Sequence, residues 1–381
     1  MFLEYSDFKN KKVLIRTDYN VPIVNNEIQS TKRIDSSIDT LNFILRQKPK
    51  QLIIVSHLGR PKDNDKTLTL EPIKSYLESL LKKNIKLCEL DNIFDDKIIM
   101  LENIRFHKEE TKNLATTQEF RNKLTKLCDV YVNDAFGCCH REHSSIVGVN
   151  ANEKYLGFLV QKELDYLSSS LSTKGVKTLI LGGSKIVDKI QLIKNLIPKM
   201  DNIIIGGGMA FTFLKHMDIK IGNSLFDQES FKLVDQIRNL ADESGTKIIL
   251  PVDFHCNDTF QNDGDLKYFS VLNGIDDGYM GLDIGHLSVL SFKTVLKNSD
   301  IIIWNGPLGV FEFENFALGS KNIMEFIADL DAVTIIGGGD TASCCEKFKL
   351  QDKMNHVSTG GGASLELLEG KMLPGIKFIT N

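Results

Sequence analysis

The sequence predicts an α/β protein built on two doubly wound, Rossmann-like parallel sheets. Three observations carry this. The chain has 381 residues, and at roughly 150 residues per domain that length gives about two domains. Short runs rich in Ile and Val recur along it with little alternation, which is how strands buried on both faces read. Amphipathic stretches lie between the runs, and such βαβα alternation closes into a parallel sheet with helices on both faces.

The runs are, in order, Val13–Ile15, Leu52–Val55, Ile98–Leu101, Val130–Val132, Thr178–Leu181, Asn202–Ile205, Lys247–Leu250, Ile301–Trp304 and Val333–Ile336. A helix is expected from about Pro72, because proline is tolerated in a first turn. Ile186, Ile190, Ile193 and Ile197 fall on one helical face, and Pro198 ends that helix. Gly157 precedes an apolar-periodic stretch from Phe158 to Leu171 that runs into serines and Gly175. It reads as a helix joining two domains. The expected boundaries are residues 1–155, the connecting helix 156–172, and 173–366.

Composition removes several functional classes. The formal net charge is −4, so the basic excess of a nucleic-acid binder is missing. The seven Cys are odd in number, include the neighbours Cys138-Cys139 and Cys344-Cys345, and form no CxxC. Neither a disulfide framework nor a clustered zinc site is expected, and a reducing, cytoplasmic location is. The N-terminus lacks the apolar core of a signal peptide, and no apolar run is long enough to span a membrane.

Glycine and arginine divide the chain. Of 28 Gly, only Gly59, Gly137 and Gly148 precede residue 150; of 8 Arg, only Arg238 follows it. Five glycine turns end predicted strands: Gly182-Gly183-Ser184-Lys185, Gly206-Gly207-Gly208, Asn305-Gly306-Pro307-Leu308-Gly309, Gly337-Gly338-Gly339-Asp340 and Gly360-Gly361-Gly362. Each is expected to open a helix. Ligands of open α/β sheets bind beyond the carboxyl ends of strands, where glycine lets backbone approach and a helix N-terminus offers free N–H groups. One such turn can be no more than a tight connection; five suggest a nucleotide or another phosphorylated ligand. No GxxxxGK[ST] and no GxGxxG is present. Lys185 can neutralise phosphate oxygens, and Asp340 can hold Mg²⁺ or cap a helix.

In the first half, Asp18, Asn20, His57, Arg60, Arg105 and Arg141 follow predicted strands, and Arg33 can open a helix beside them. Guanidinium groups suit bidentate recognition of carboxylate and phosphate, so this set predicts a compact dianionic ligand.

The motifs together resemble phosphoglycerate kinase along essentially the whole chain. They include Arg16-Thr17-Asp18-Tyr19-Asn20-Val21-Pro22, Ser56-His57-Leu58-Gly59-Arg60-Pro61, Glu102-Asn103-Ile104-Arg105-Phe106-His107 and the segment Asp129 to His143. LGGSK with Asp188-Lys189, GGGMAF, WNGPLGVFE, GGGDTA and STGGGASLELLEGK complete the series. The resemblance implies a monomeric, hinge-bending enzyme. Its N-terminal domain would hold 3-phosphoglycerate or 1,3-bisphosphoglycerate and its C-terminal domain Mg-ADP or Mg-ATP, with residues 367–381 returning to the first. It implies a phosphoglycerate site of Asp18, Asn20, Arg33, His57, Arg60, Arg105 and Arg141. Lys185 and Lys189 would meet nucleotide phosphates. Gly207, Gly208, Asn305, Glu312, Gly337, Gly338, Gly339, Asp340 and Thr341 would line the nucleotide pocket, with Glu312 on ribose and Asp340 on the metal. Gly361 and Gly362 would face the moving phosphoryl group, with Arg33 and Lys185 as its catalytic cations.

The sequence departs from that pattern in three places. His286 stands where the family usually has proline, Cys138-Cys139 where it has small residues, and Ser184 where it often has alanine. None removes a charge the chemistry needs. Transfer between an acyl phosphate and ADP uses a nucleophile that is already an anion, so alignment and charge stabilisation are required and a general base is not. The competing readings are a non-catalytic nucleotide-binding protein on the same fold and a sugar or acetate kinase. The first predicts a broken anion cluster or a lost Lys185 or Asp340; the second leaves the arginines unexplained.

Overall fold

The computed structural model describes residues 2–62, 65–93, 95–184 and 186–380. The chain forms two compact units, Met1–Asp165 with Met372–Asn381, and Tyr166–Lys371.

The strands of the first unit are β1 (Lys12–Thr17), β2 (Ile23–Val24), β3 (Glu27–Ile28), β4 (Gln51–Val55), β5 (Lys86–Cys88), β6 (Ile98–Leu101), β7 (Val130–Asp134) and β8 (Glu153–Leu156). Six of them make a parallel sheet in the order β5-β6-β4-β1-β7-β8, and β2 pairs with β3 as a small hairpin. Every residue of β4 and β7 is buried, as expected of strands covered on both faces. The core joins Val13, Ile15, Leu52, Ile54, Met100 and Val132 to Leu41 and Ile44 of the helix Ile38–Arg46 and to Ile73 and Leu77 of the helix Glu71–Leu81. Each such aliphatic side chain contributes about 1.5–3 kcal/mol by leaving water. The C-terminal helix Pro374–Thr380 packs in this unit: Gly375 N–H donates to the Cys139 carbonyl at 2.9 Å, and Lys154 Nζ to that of Phe378 at 3.1 Å.

The second unit contains β9 (Lys177–Leu181), β10 (Asn202–Ile205), β11 (Lys247–Ile249), β12 (Asp253–Asn257), β13 (Lys267–Ser270), β14 (Met280–Ile284), β15 (Ile301–Asn305), β16 (Val333–Gly337) and β17 (His356–Val357). Its parallel sheet runs β11-β10-β9-β15-β16-β17. The direction of strand addition reverses between β9 and β15, and such a switch point opens a crevice at the carboxyl ends of the strands. An antiparallel sheet β13-β12-β14 flanks the main one in sequence.

All nine predicted runs are strands of the two parallel sheets. β5 and β8, at the edges of the first sheet, are only partly covered and include polar residues, and they carry no apolar run. The helix expected across Ile186 to Ile197 is shorter: α-helical geometry holds over Ile190–Leu196, with 3₁₀ turns at Val187–Lys189 and Ile197–Lys199. The Asn305–Gly309 turn does not open a helix, contrary to expectation. Pro307 follows Gly306, which holds φ +94°, and the chain runs on to a helix that starts at Leu318. The other glycine turns are followed by helical segments.

Candidate active site

In the first unit a charged network lies at the carboxyl end of β1 and β4. Arg16 continues the apolar strand Val13-Leu14-Ile15 and is fully buried. Its Nε donates to Ser145 Oγ at 2.7 Å, and its Nη2 lies 3.2 Å from His57 Nδ1 and 3.9 Å from Glu110. Glu110, also fully buried, accepts from the Ser145 hydroxyl at 2.6 Å and the Ser145 N–H at 2.9 Å. Arg33 Nη1 donates to Asp18 Oδ2 and to the Asn20 carbonyl, both at 3.1 Å. Asn20 Oδ1 accepts the Gly59 N–H at 2.8 Å, and Arg105 Nη1 donates to the Gly59 carbonyl at 2.6 Å.

This network carries more cation than anion. Burial, then Arg16 and Arg105, hold His57 well below its ordinary value, so it is neutral. Burial and the neighbouring arginines push His143 down to about 3. Arg105 is lowered by burial and by Arg16 and Arg141, and its buried Nε has no partner. An uncompensated cluster of this kind attracts a small anion. Donor atoms of Asp18, His57 and Cys138 lie within 4.8 Å of one another. Two of these residues already face cations: Asp18 accepts from Arg33, and His57 Nδ1 lies against Arg16. At about 4 Å and an effective dielectric of 20, each unit of like charge costs roughly 4 kcal/mol, so the cluster suits an anion and opposes a metal ion.

The structure brings Asp18, Asn20, Arg33, His57 and Arg105 together, with Arg141 close enough to act on Arg105. Arg60 is exposed and does not join the hydrogen-bonded set. Sequence reasoning missed Arg16, Glu110, Ser145 and His143 as members. The available signal was a charged residue continuing an all-apolar strand.

In the second unit, a cavity of about 480 Å³ opens at the switch point. Gly207, Gly208, Glu312 and Asp340 line it, with Phe211, Leu225, Leu282 and Val310 giving an apolar wall. Backbones meet closely beneath it. A Cβ on Gly182 would come 1.9 Å from the Pro307 carbonyl oxygen, and Gly207 holds φ +59° against Gly183. Gly207 and Gly339 begin helices of ten and nine residues. Gly361, at φ +51°, precedes the helix Gly362–Leu368, and a Cβ there would meet open space.

Other predicted residues stand around the cavity rather than in its wall. Lys189 Nζ donates to the carbonyls of Gly182 at 2.7 Å and Asn305 at 3.1 Å, and burial pushes it down to about 8. Asn305 is buried with Nδ2 unpartnered, facing Gly338. Thr341 Oγ1 accepts the Gly306 N–H at 2.6 Å. Gly337 ends β16. Lys185 lies outside the described residues.

The phosphoglycerate kinase family model matches residues 3–371. Phosphoglycerate kinase of Plasmodium falciparum is 44% identical, covering 99% of this chain and 98% of that protein. That of Dictyostelium discoideum is 46% identical over 100% of this chain and 97% of its own length, and human phosphoglycerate kinase 1 is 45% identical over 100% and 98%. Among solved structures, phosphoglycerate kinase from Coxiella burnetii superimposes with a TM-score of 0.91 at 35% identity, covering 100% of this chain and 98% of that one. The Pyrococcus horikoshii OT3 structure gives 0.83 at 30%, with the same coverage.

Proposed function

The chain belongs to the phosphoglycerate kinase family, and from that premise we propose a division of labour between its two units. The activity is reversible phosphoryl transfer from 1,3-bisphosphoglycerate to ADP, giving 3-phosphoglycerate and ATP, a reaction of glycolysis. The first unit takes the phosphoglycerate: Arg33, Arg105 and Arg141 neutralise its phosphate and carboxylate, Arg60 reaches in from its exposed loop, and neutral His57, Asp18 and Asn20 fix its orientation. The second unit takes the nucleotide in the glycine-lined cavity. Glu312 receives the ribose, the Gly337-Gly338-Gly339 turn and Thr341 flank the phosphates, and Asn305 turns its free Nδ2–H toward them.

Asp340 fits a magnesium site. It is an exposed carboxylate in the first turn of a helix, beside the cavity, and Mg²⁺ is usually held by one or two carboxylates with phosphate oxygens completing its shell. The ion supplies charge neutralisation at the nucleotide phosphates. Lys185 and Lys189 add cations there; Lys189 would exchange its carbonyl partners for phosphate oxygens. Arg33 and the Gly361 and Gly362 N–H groups stabilise charge on the moving phosphoryl group.

Because the nucleophile is an ADP oxygen or a carboxylate, no residue need remove a proton. In-line transfer requires the two substrates to meet, so hinge-bending closure belongs to this reading, as does action as a monomer. A cytoplasmic location accords with seven free thiols, and among the described residues no helix is long and apolar enough to cross a membrane.

The observation that carries the assignment of substrates is the contrast between an arginine-rich, acid-poor network in one unit and a glycine-walled cavity in the other. A coupled assay tests the activity: purified protein given 1,3-bisphosphoglycerate, ADP and Mg²⁺ forms ATP, and no ATP above the uncatalysed rate would overturn it.

A further inference from the structure

Asp283 is a buried carboxyl in the wall of the nucleotide cavity that the reaction does not use. It lies on β14, 3% exposed. Its Oδ2 accepts the Gly319 N–H at 2.7 Å, near the start of the helix Leu318–Ala328, and its Oδ1 accepts the Ile284 N–H at 2.9 Å. Two glycines press on it: a Cβ on Gly309 would come 2.2 Å from Oδ1, and one on Gly319 2.4 Å. Next to this contact, Val310 N–H donates to the Leu282 carbonyl at 2.8 Å. The segment from Pro307 to Glu312 is therefore held against β14 at adjacent points, and Gly309, Val310 and Glu312 of that segment face the cavity together with Leu282 and Asp283.

We propose that Asp283 is a positioning residue for the nucleotide, fixing the Gly309–Glu312 loop and the start of the helix Leu318–Ala328 so that the cavity wall is preformed. This rests on the nucleotide reading of the cavity. An apolar side chain would fill the same volume without the desolvation that pushes this carboxyl up to about 8. It could not, however, satisfy the buried Gly319 N–H, and an orphaned donor there frees the helix start and the loop together. The glycines follow from the same contact, since a methyl group at either position would occupy the place of the carboxyl oxygen.

The test separates binding from chemistry by steady-state kinetics on wild type and three variants. Asp283→Ala raises KM for Mg-ADP about tenfold, the equivalent of roughly 1.4 kcal/mol. KM for 1,3-bisphosphoglycerate stays unchanged and kcat falls less than threefold. Asp283→Asn keeps an oxygen for Gly319 and the volume but sets its NH2 against the Ile284 N–H, so its KM for Mg-ADP falls between those of wild type and Asp283→Ala. Gly309→Ala, which acts on the contact from the loop side, reproduces the Ala variant's KM shift and keeps the proposal testable should Asp283→Ala fail to fold. Unchanged nucleotide KM in folded Asp283→Ala or Gly309→Ala overturns the proposal, as does an equal rise in both KM values. Absence of ATP formation by the wild type is a different result and overturns the underlying reading instead.

Discussion

Nη2 of Arg16 lies 3.2 Å from Nδ1 of His57, and both side chains are buried. A guanidinium has no lone pair to offer, so Nδ1 is the acceptor and the imidazole proton sits on Nε2. Arg16 thus fixes the tautomer of His57 and, by its charge, helps keep the ring neutral. The partner that balances Arg16 is Glu110, linked through Ser145.

Arg16→Met keeps most of the volume and removes the cation. Glu110 is then buried without its counter-charge, and breaking a buried pair costs about 3–5 kcal/mol. Urea denaturation should register a loss of that order. In the folded variant the His57 titration, followed by NMR, moves upward because one repelling charge is gone. An unmoved His57 titration would refute this account of the pair.

Arg33 is the one arginine of the set that touches both Asp18 and the Asn20 carbonyl while remaining partly exposed. Arg33→Ala is expected to lower kcat by about 1,000-fold or more, the range that a transition-state arginine supplies in phosphoryl transfer. Mg-ADP affinity measured by calorimetry stays as in wild type, because the nucleotide cavity belongs to the other unit. Near-normal turnover would remove Arg33 from the role proposed for it.

Asp134 gives a pH dependence. Its Oδ1 accepts the Leu159 and Val160 N–H groups at 2.9 and 3.4 Å, at the start of the helix Phe158–Ser172, and its Oδ2 is buried without a partner. Burial pushes the carboxyl up to about 7, from 3.8 in an exposed chain. A folded-state value above the unfolded one means that the folded state binds the extra proton. Its stabilising contribution is therefore complete below about pH 4 and is lost as pH rises toward 7. The stability of wild type relative to Asp134→Asn should fall by about 1.4 kcal/mol per pH unit across that window and level off above it. Urea unfolding of both proteins at several pH values measures the difference; a constant difference contradicts the buried-carboxyl assignment.

The sequence carried the two sheets because buried parallel strands leave a local mark, the unbroken Ile and Val runs such as Ile301-Ile302-Ile303. The glycine turns at Gly182, Gly207 and Gly339 were legible for a similar reason, since each answers to a nearby backbone constraint. The parts that escaped depend on partners distant in sequence. Nothing around Glu110 announces that it meets Arg16, and nothing around Asp283 announces the loop of Gly309. The two main-chain carbonyls that hold the Lys189 amine, Gly182 and Asn305, are equally hidden; a lysine beside glycines does not encode which acceptors it rests on. Pro307 did not reveal that the Asn305–Gly309 turn would not open a helix, because proline is compatible with a first helical turn as well as with a loop; the positive φ of Gly306 is what turns the chain away.

Asp340 offers the sharpest separation of the nucleotide reading from a purely structural one. In the first turn of its helix it could serve only to complement the free N–H groups, a contribution of about 1 kcal/mol to stability. The N-cap of that helix, however, is Gly338, and among the described residues it has no side-chain cap hydrogen bond. Asp340 faces the cavity and acts electrostatically on Lys189. Asp340→Ala should therefore leave the midpoint of thermal unfolding nearly unchanged. It should weaken Mg-ADP about tenfold or more, and affect ADP measured in the presence of a chelator far less. Equal losses with and without Mg²⁺ would assign Asp340 to the nucleotide itself, and a lowered midpoint with unchanged Mg-ADP affinity would return it to a helix-stabilising role.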